Sequence, residues 1–253
     1  MILKKFIFSF ILLSSLHVFP SYASLANPLS EAEWHSQKGL ESKELAQKQY
    51  HFNQALQIYL EIAEEYQSTH NQGFLYYNIA NLFVKLNDYP WAVYYYLKAL
   101  KYYPRDKTII QNLTLTQNAL GIRKQYSPPL LTYWEIALIL TAFILIILIY
   151  VSLYIWTHRQ LWLKSTIGIG CVAFLFLTFV VFKETTEPIT GIIIKPTFLR
   201  AYPNDSSGLV VESPLRPGIT VHVIDSEKNG TWLQAISDNN EVGFIYYQDI
   251  RLI

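Results

Sequence analysis

The sequence predicts a multidomain membrane protein that combines all-α helix hairpins, a two-helix transmembrane hairpin and a small all-β barrel. Three observations support this fold class. Aromatic residues recur at helical spacing around 89–103, two long uncharged apolar runs follow at 136–155 and 165–182, and the C-terminal part consists of short β-branched runs between turn residues. Hydrophobic residues make up 51% of the 253 residues and charged residues only 15%, an apolar share that membrane segments explain.

Composition excludes several functional classes. The formal net charge is +1 and there is no basic patch, so we predict no binding of nucleic acid. The single cysteine, Cys171, excludes an intramolecular disulfide and a multi-cysteine metal site. The six histidines show no metal-ligand spacing, and the sequence has no P-loop, no G-x-S-x-G and no H-E-x-x-H motif. We therefore predict a noncatalytic protein without a metal or cofactor.

The first 23 residues have the composition of a secretory signal peptide. Two lysines precede an apolar run at 6–16, which is too short to span the ~30 Å of bilayer hydrocarbon comfortably. Ser21 and Ala23 then supply the small side chains that signal peptidase requires. We predict a signal peptide at 1–23 with cleavage after Ala23, and Ala26 as the second choice; an uncleaved anchor is the alternative. Both interpretations export the residues that follow.

The segment 73–106 matches the signature of a tetratricopeptide repeat, W-x2-L-G-x2-Y followed by A-x3-F and P. Ala80 and Ala92 are small enough for two antiparallel helices to approach closely, and Pro90 suits the first turn of the second helix. The positions in register with the signature are Tyr76, Ile79, Ala80, Phe83, Ala92, Tyr96 and Pro104. The second helix is predicted to bury Ala92, Tyr96, Ala99 and Tyr103 along one face.

A weaker copy of the repeat precedes this one. Two matching pairs lie at a constant offset of 37 residues, Ala55 with Ala92 and Tyr59 with Tyr96, against a usual repeat length of about 34. Its first helix departs from the signature, with Gly39 among the misfitting residues. We predict a tetratricopeptide repeat domain at 28–121.

The region after the repeats reads as a capping helix followed by a stiff connection. Apolar residues recur at helical spacing over 108–120, and Gly121 is suited to end that helix. The segment 122–130, which includes Pro128 and Pro129, is predicted to be a linker between the repeats and the membrane.

Two surfaces of the best repeat are candidate sites for binding a protein partner. In tetratricopeptide repeats the groove is lined by the first helix of each pair, which here offers Phe74, Tyr77, Asn81 and Lys85. On the second helix, a mixed aromatic and cationic stripe remains outside the predicted core, formed by Tyr95, Lys98 and Tyr102. The alternative for this stripe is a solvated face, or packing on the capping helix.

The two apolar runs predict a pair of membrane-spanning helices. The run 136–155 has no charged residue in 20 positions and the run 165–182 has none in 18, which fits the ~17 to 25 residues that a spanning helix needs. We predict transmembrane helices at 131–156 and 165–182, joined by a cytoplasmic hairpin loop at 157–164. Aromatic residues that favour headgroup depth cluster near the ends of the first helix: Tyr133, Trp134, Tyr150, Tyr154, Trp156 and Trp162.

The C-terminal segment 188–253 reads as a small β domain. Its short apolar runs are 191–195, 197–200, 218–224, 231–236 and 242–246, separated by proline, glycine, asparagine and aspartate. The motifs Leu-Arg-Ala-Tyr-Pro at 199–203 and Gly-Thr-Trp-Leu-Gln-Ala at 230–235 resemble those of a bacterial SH3-type barrel. Tyr202, Trp232 and Tyr246 form a candidate aromatic binding face, with core packing as the alternative role of Trp232.

The order of these segments is similar to that of BatE-type members of the aerotolerance (Bat) operon family: signal peptide, tetratricopeptide repeats, two transmembrane helices and an SH3-type domain. The resemblance implies a bacterial inner-membrane protein with a periplasmic repeat domain and a periplasmic C-terminal domain. It also implies partners, namely membrane-bound von Willebrand A domain proteins and a MoxR-type AAA+ ATPase, in an assembly connected with stress or oxygen tolerance.

Two functions are therefore expected. The first is a noncatalytic inner-membrane scaffold that binds protein partners through its tetratricopeptide repeats and SH3-like domain. The alternative is an envelope sensor or anchoring module whose SH3-like domain binds peptidoglycan or a peptide.

Loop charges do not settle the orientation of the two helices in the membrane, because cations lie on both sides of the predicted spans, so the signal peptide decides the orientation.

Overall fold

The computed structural model describes residues 22–65, 72–123, 126–186, 189–227 and 230–253. These residues form seven α-helices and a small five-stranded antiparallel sheet, so the mixed helical and sheet architecture is confirmed. The chain divides into two compact units at the boundary between Asp88 and Tyr89. The predicted signal peptide lies outside the described residues except for its last two positions.

The first unit contains three helices, α1 (Tyr22–Glu41), α2 (Leu45–Glu65) and α3 (Gln72–Lys85), in which α2 packs against both α1 and α3. Their buried side chains recur at helical spacing and include Ala32, Phe52, Ala55, Tyr59, Ile62, Leu75, Tyr76, Ile79 and Ala80. This is the arrangement of successive helices in a helical repeat.

Gly39 has a packing role that the repeat signature did not indicate. A Cβ atom at this position would lie 2.5 Å from the Cδ1 of Phe52, whose ring is 1% exposed. The missing side chain of Gly39 therefore lets the ring of Phe52 close against α1, which fixes the distance between α1 and α2.

The C-terminus of α3 is closed by a Schellman motif. Asn87 adopts a left-handed conformation with φ of 61°. The amide of Asp88 donates to the carbonyl oxygen of Phe83 at 2.8 Å, and the amide of Asn87 donates to that of Val84 at 3.1 Å. These bonds satisfy carbonyl groups that the helix end would otherwise leave free, and they turn the chain out of the helix.

The second unit begins with helices α4 (Tyr89–Tyr102) and α5 (Lys107–Ala119), which pack against each other. Asp106 caps α5, because its carboxylate accepts hydrogen bonds from the amides of Thr108 at 2.8 Å and Ile109 at 3.0 Å. The predicted core face of α4 is confirmed at three positions: Ala92, Tyr96 and Ala99 are at most 2% exposed. Tyr103 does not join them; it is 39% exposed and lies beyond the last residue of the helix.

Two long apolar helices follow, α6 (Tyr133–Thr157) and α7 (Gln160–Thr186), which pack side by side as a hairpin. Each is long and apolar enough to span a membrane. The connection is shorter than the predicted loop at 157–164, since only His158 and Arg159 lie outside helices. The left-handed conformation of His158, with φ of 50°, reverses the chain within these two residues.

The C-terminal strands are β1 (Ile189–Ile193), β2 (Thr220–Glu227), β3 (Trp232–Ile236), β4 (Val242–Tyr246) and β5 (Ile250–Leu252). They form one antiparallel sheet in the order β4-β3-β2-β1-β5. One face of the sheet covers a core of Ile193, Leu199, Leu215, Val221, Val223, Leu233, Ala235, Ile245 and Ile250. The sheet is not a closed barrel, which corrects the predicted closure.

Two details of the sheet differ from the predicted strands. The segment 197–200 makes isolated bridges instead of a strand, in which Arg200 pairs with Leu209 and with Phe244 at the outer edge of β4. The short strand β5 was not predicted, because three residues at the end of the chain are too few to show an alternating pattern.

Gly243 is predicted to be required for packing of the sheet. A Cβ atom there would lie 2.6 Å from the Cγ of Leu199 and 2.8 Å from the carbonyl oxygen of Arg200. Because that oxygen belongs to the backbone, Gly243→Ala must displace the segment and should destabilise the sheet by about 1–3 kcal/mol. Gly208→Ala is the matched control, since its Cβ would meet nothing within 4 Å. Thermal unfolding of the full chain in detergent, with hydrogen exchange of β4, measures both; equal effects would contradict the packing argument.

Candidate functional site

The predicted groove residues lie on one face of α3. Phe74, Tyr77, Asn81 and Lys85 are three or four residues apart, while Leu75, Tyr76, Ile79, Ala80 and Leu82 are buried on the other side. Phe74 is 58% exposed, and its ring centroid lies 6.2 Å from that of Tyr77. The face therefore presents an aromatic pair at its N-terminal end and an exposed lysine at its C-terminal end.

Two of the three residues of the stripe predicted on α4, Tyr95 and Lys98, belong to a cluster of aromatic rings. The rings of Trp91 and Tyr95 are nearly parallel, with centroids 6.1 Å apart, and Tyr94 meets Tyr95 edge to face at 5.0 Å. The ammonium group of Lys98 lies over both tyrosines, 5.4 Å from the centroid of Tyr94 and 5.8 Å from that of Tyr95. The structure thus brings Tyr95 and Lys98 together, while Tyr102 lies at the end of the helix and is 45% exposed.

Trp91 extends this cluster, and sequence reasoning did not include it. The guanidinium carbon of Arg251, on β5, lies 5.3 Å from the centre of the Trp91 ring. Helix α4 also contacts β1, whose Ile192 pairs with Arg251 and is fully buried. One end of the α4 stripe is therefore an internal contact with the sheet, and only the end near Lys98 and Tyr102 remains a candidate partner surface.

The predicted aromatic face of the sheet is brought together only in part. Trp232 and Tyr246 are cross-strand partners whose rings meet edge to face, with centroids 5.1 Å apart. Trp232 is 5% exposed, so its ring is largely packed. Tyr202 is 67% exposed in the loop before β2, and within the described residues it makes no ring contact with the other two. The exposed candidate on this domain is therefore Tyr202.

Two buried tyrosines of the first unit, Tyr59 and Tyr76, pack in its core. Burial, together with the nearby carboxylate of Glu33, raises the pKa of Tyr59 to about 12. Burial also raises the pKa of Tyr76. Both phenols therefore remain neutral throughout the physiological pH range.

An ion pair joins the α4–α5 turn to the start of α6. The guanidinium group of Arg105 contacts both carboxylate oxygens of Glu135, at 2.6 and 3.1 Å. It also donates to the carbonyl oxygen of Leu130 at 2.6 Å. Glu135 in turn forms a capping box with Thr132. The side chain of Arg105 therefore connects the end of the linker and the first turn of α6 to the turn between α4 and α5.

The residues that the structure describes contain no larger cluster of metal-ligating side chains. In this part of the chain no three histidine, cysteine, aspartate or glutamate side chains group together as a metal site. Comparison with known proteins adds no identity: no family model, no curated protein and no solved structure matches the chain.

Removing the side chain of Arg105 should loosen the connection to α6. In Arg105→Ala the carboxylate of Glu135 keeps only the capping box, so the amides of 130–136 should exchange hydrogen several-fold faster. Arg105→Lys should have an intermediate effect, because lysine keeps the positive charge but cannot form the bidentate hydrogen bonds to the carboxylate of Glu135. Lys107→Ala removes a neighbouring exposed cation and serves as control. Hydrogen-exchange mass spectrometry of the full chain in lipid nanodiscs tests this, and unchanged exchange in Arg105→Ala would contradict the proposed coupling.

Proposed function

We propose that this protein is a noncatalytic scaffold, anchored in a membrane by α6 and α7, that binds protein partners on the exposed side of its helical repeats. The observation that carries the proposal is the arrangement of the second unit. There α4 contacts the sheet through Trp91 and Arg251, while Arg105 holds the first turn of the apolar hairpin. Helices α4 and α5, the sheet and the membrane anchor thus belong to one compact unit.

The same arrangement supports placing both domains on one side of the membrane. A polypeptide that crosses a bilayer twice returns to its starting side, and only then can Arg251 reach Trp91. A further close approach agrees: a Cβ atom on Gly218 would lie 2.3 Å from the Cδ1 of Leu120, so the loop before β2 lies against the end of α5. With the signal peptide as the exporting element, that side is the periplasm of a bacterium.

The partner class follows from the chemistry of the α3 face and from the family resemblance. An exposed phenylalanine near one end and an exposed lysine near the other suit a peptide segment with apolar side chains and an acidic group. In an assembly of the Bat type, von Willebrand A domain membrane proteins would be the direct partners, and a MoxR-type AAA+ ATPase would act with them. The tetratricopeptide and SH3-like assignments belong to the same proposal.

Site-specific photo-crosslinking in membranes tests the α3 face. A photoreactive residue in place of Phe74 should give a discrete adduct with a von Willebrand A domain protein, and Lys85→Glu should reduce its yield. Leu115, on α5, is the control position because it is 60% exposed, close to the 58% of Phe74, but lies off the predicted groove. The same adduct from both positions, or no adduct from Phe74, would remove α3 as the partner surface.

A second candidate function is binding of peptidoglycan by the C-terminal domain, favoured by the exposure of Tyr202. The full chain in detergent should then sediment with purified sacculi, and Tyr202→Ala should reduce the bound fraction. Tyr247→Ala, at another exposed tyrosine of the same domain, is the control. No sedimentation of the unmodified chain would exclude this function, and equal sedimentation of all three proteins would remove Tyr202 from the binding surface.

The topology makes a separate prediction. A reporter enzyme active only after export should be active when fused at residue 125 and after Ile253, and inactive when inserted at His158. Activity at His158, or inactivity at either of the other two positions, would place the domains elsewhere and remove the basis of the scaffold proposal.

A further inference from the structure

Two histidines from different helices meet in the first unit, away from the α3 face. The Nδ1 atom of His35 on α1 lies 3.0 Å from the Nδ1 atom of His51 on α2, and both residues are half-buried. Their ring centroids are 5.3 Å apart. In the sequence they are 16 residues apart, so metal-ligand spacing within one helix could not reveal the pair.

The helices that hold the pair are fixed close to it. Phe52 follows His51 directly and packs its ring against Gly39, one helical turn beyond His35. Trp34 lies edge to face with both imidazoles, at centroid distances of 4.8 Å from His35 and 5.7 Å from His51. Tyr50 lies edge to face with His51 at 5.4 Å. Packing on two helices thus holds two nitrogen donors together before any ligand arrives.

The two nitrogens are close enough to ligate one ion. Ligand nitrogens about 2.0–2.1 Å from a common ion lie about 2.9 Å apart when the angle at the ion is about 90°, and about 3.3 Å apart when it is tetrahedral. The observed 3.0 Å is within a few tenths of an ångström of both values, so a small rotation of the rings suffices for either geometry. Among divalent first-row metals Cu²⁺ heads the affinity order, and its square-planar or tetragonal coordination accepts two neighbouring imidazoles.

We propose that His35 and His51 form a Cu²⁺-binding site. In the metal-free chain one Nδ1 donates a hydrogen bond to the other, so a proton bridges the two nitrogens. Cu²⁺ takes the place of this proton, the donor ring is protonated at Nε2 instead by exchange with water and stays neutral, and the rings turn so that both Nδ1 lone pairs point at the ion. Water completes the coordination. The proposal is independent of the scaffold function, because it involves neither α3 nor the sheet.

Copper binding can be measured on the full chain in detergent. Titration with Cu²⁺ alone should give saturable binding of one ion with an electron paramagnetic resonance spectrum of two coordinated imidazoles. His35→Gln and His51→Gln should each weaken binding by more than about tenfold, the smallest effect typical of groups that merely support a metal ligand. His158→Gln and His222→Gln are the matched controls and should bind as the unmodified chain does.

Trp34 provides an internal reporter, because a bound Cu²⁺ ion quenches a neighbouring indole. Trp34→Phe should abolish most of the copper-dependent quenching and leave the paramagnetic spectrum unchanged.

Circular dichroism of each variant separates loss of the site from loss of the fold. Absence of saturable binding would leave the pair as a hydrogen bond only and overturn the proposal. Binding that persists with two imidazoles in folded His35→Gln and His51→Gln would assign the copper to other residues and overturn it equally.

Discussion

The two-residue reversal at His158 and Arg159 brings together the chain segments that directly flank the apolar hairpin. The helices that it joins have 25 and 27 residues, so each is on the order of 40 Å long, and their far ends lie at about the same level. The linker and the sheet must therefore start side by side. The contact of Arg251 with Trp91, which joins segments before and after the hairpin, becomes available because of this geometry.

Features that depend on local sequence periodicity could be predicted. The 3.6-residue pattern places Ala92, Tyr96 and Ala99 on one face of α4, and all three are buried. Uncharged length alone indicates α6 and α7, since a spanning helix satisfies its backbone within itself. Strands β3 and β4 also follow their predicted runs closely, because turn residues bound them on both sides.

Features that depend on contacts distant in sequence could not be predicted. Whether a sheet closes into a barrel depends on whether its two edge strands pair, and the sequence of one strand does not identify the strand that pairs with it. Gly39 counted as a misfit to the repeat signature because the ring that fills its place, Phe52, comes from the next helix. The candidate surfaces also combine local and distant contacts. Helical spacing predicts that Tyr95 and Lys98 lie on one face of α4, whereas Trp91 and Arg251, which are in contact, are 160 residues apart in the sequence.

The bridge between Arg200 and Phe244 covers part of the exposed edge of the sheet at β4. Free backbone groups at the rim of a sheet are a template on which another molecule can add a strand, and proteins confined to one surface meet at high local density. Reciprocal hydrogen bonds of 3.0 and 2.8 Å between Arg200 and Phe244 occupy that rim at β4, while β5 at the opposite rim is only three residues long. A neighbouring molecule therefore finds the middle of the β4 edge occupied and only a short edge at β5, which disfavours intermolecular β-aggregation.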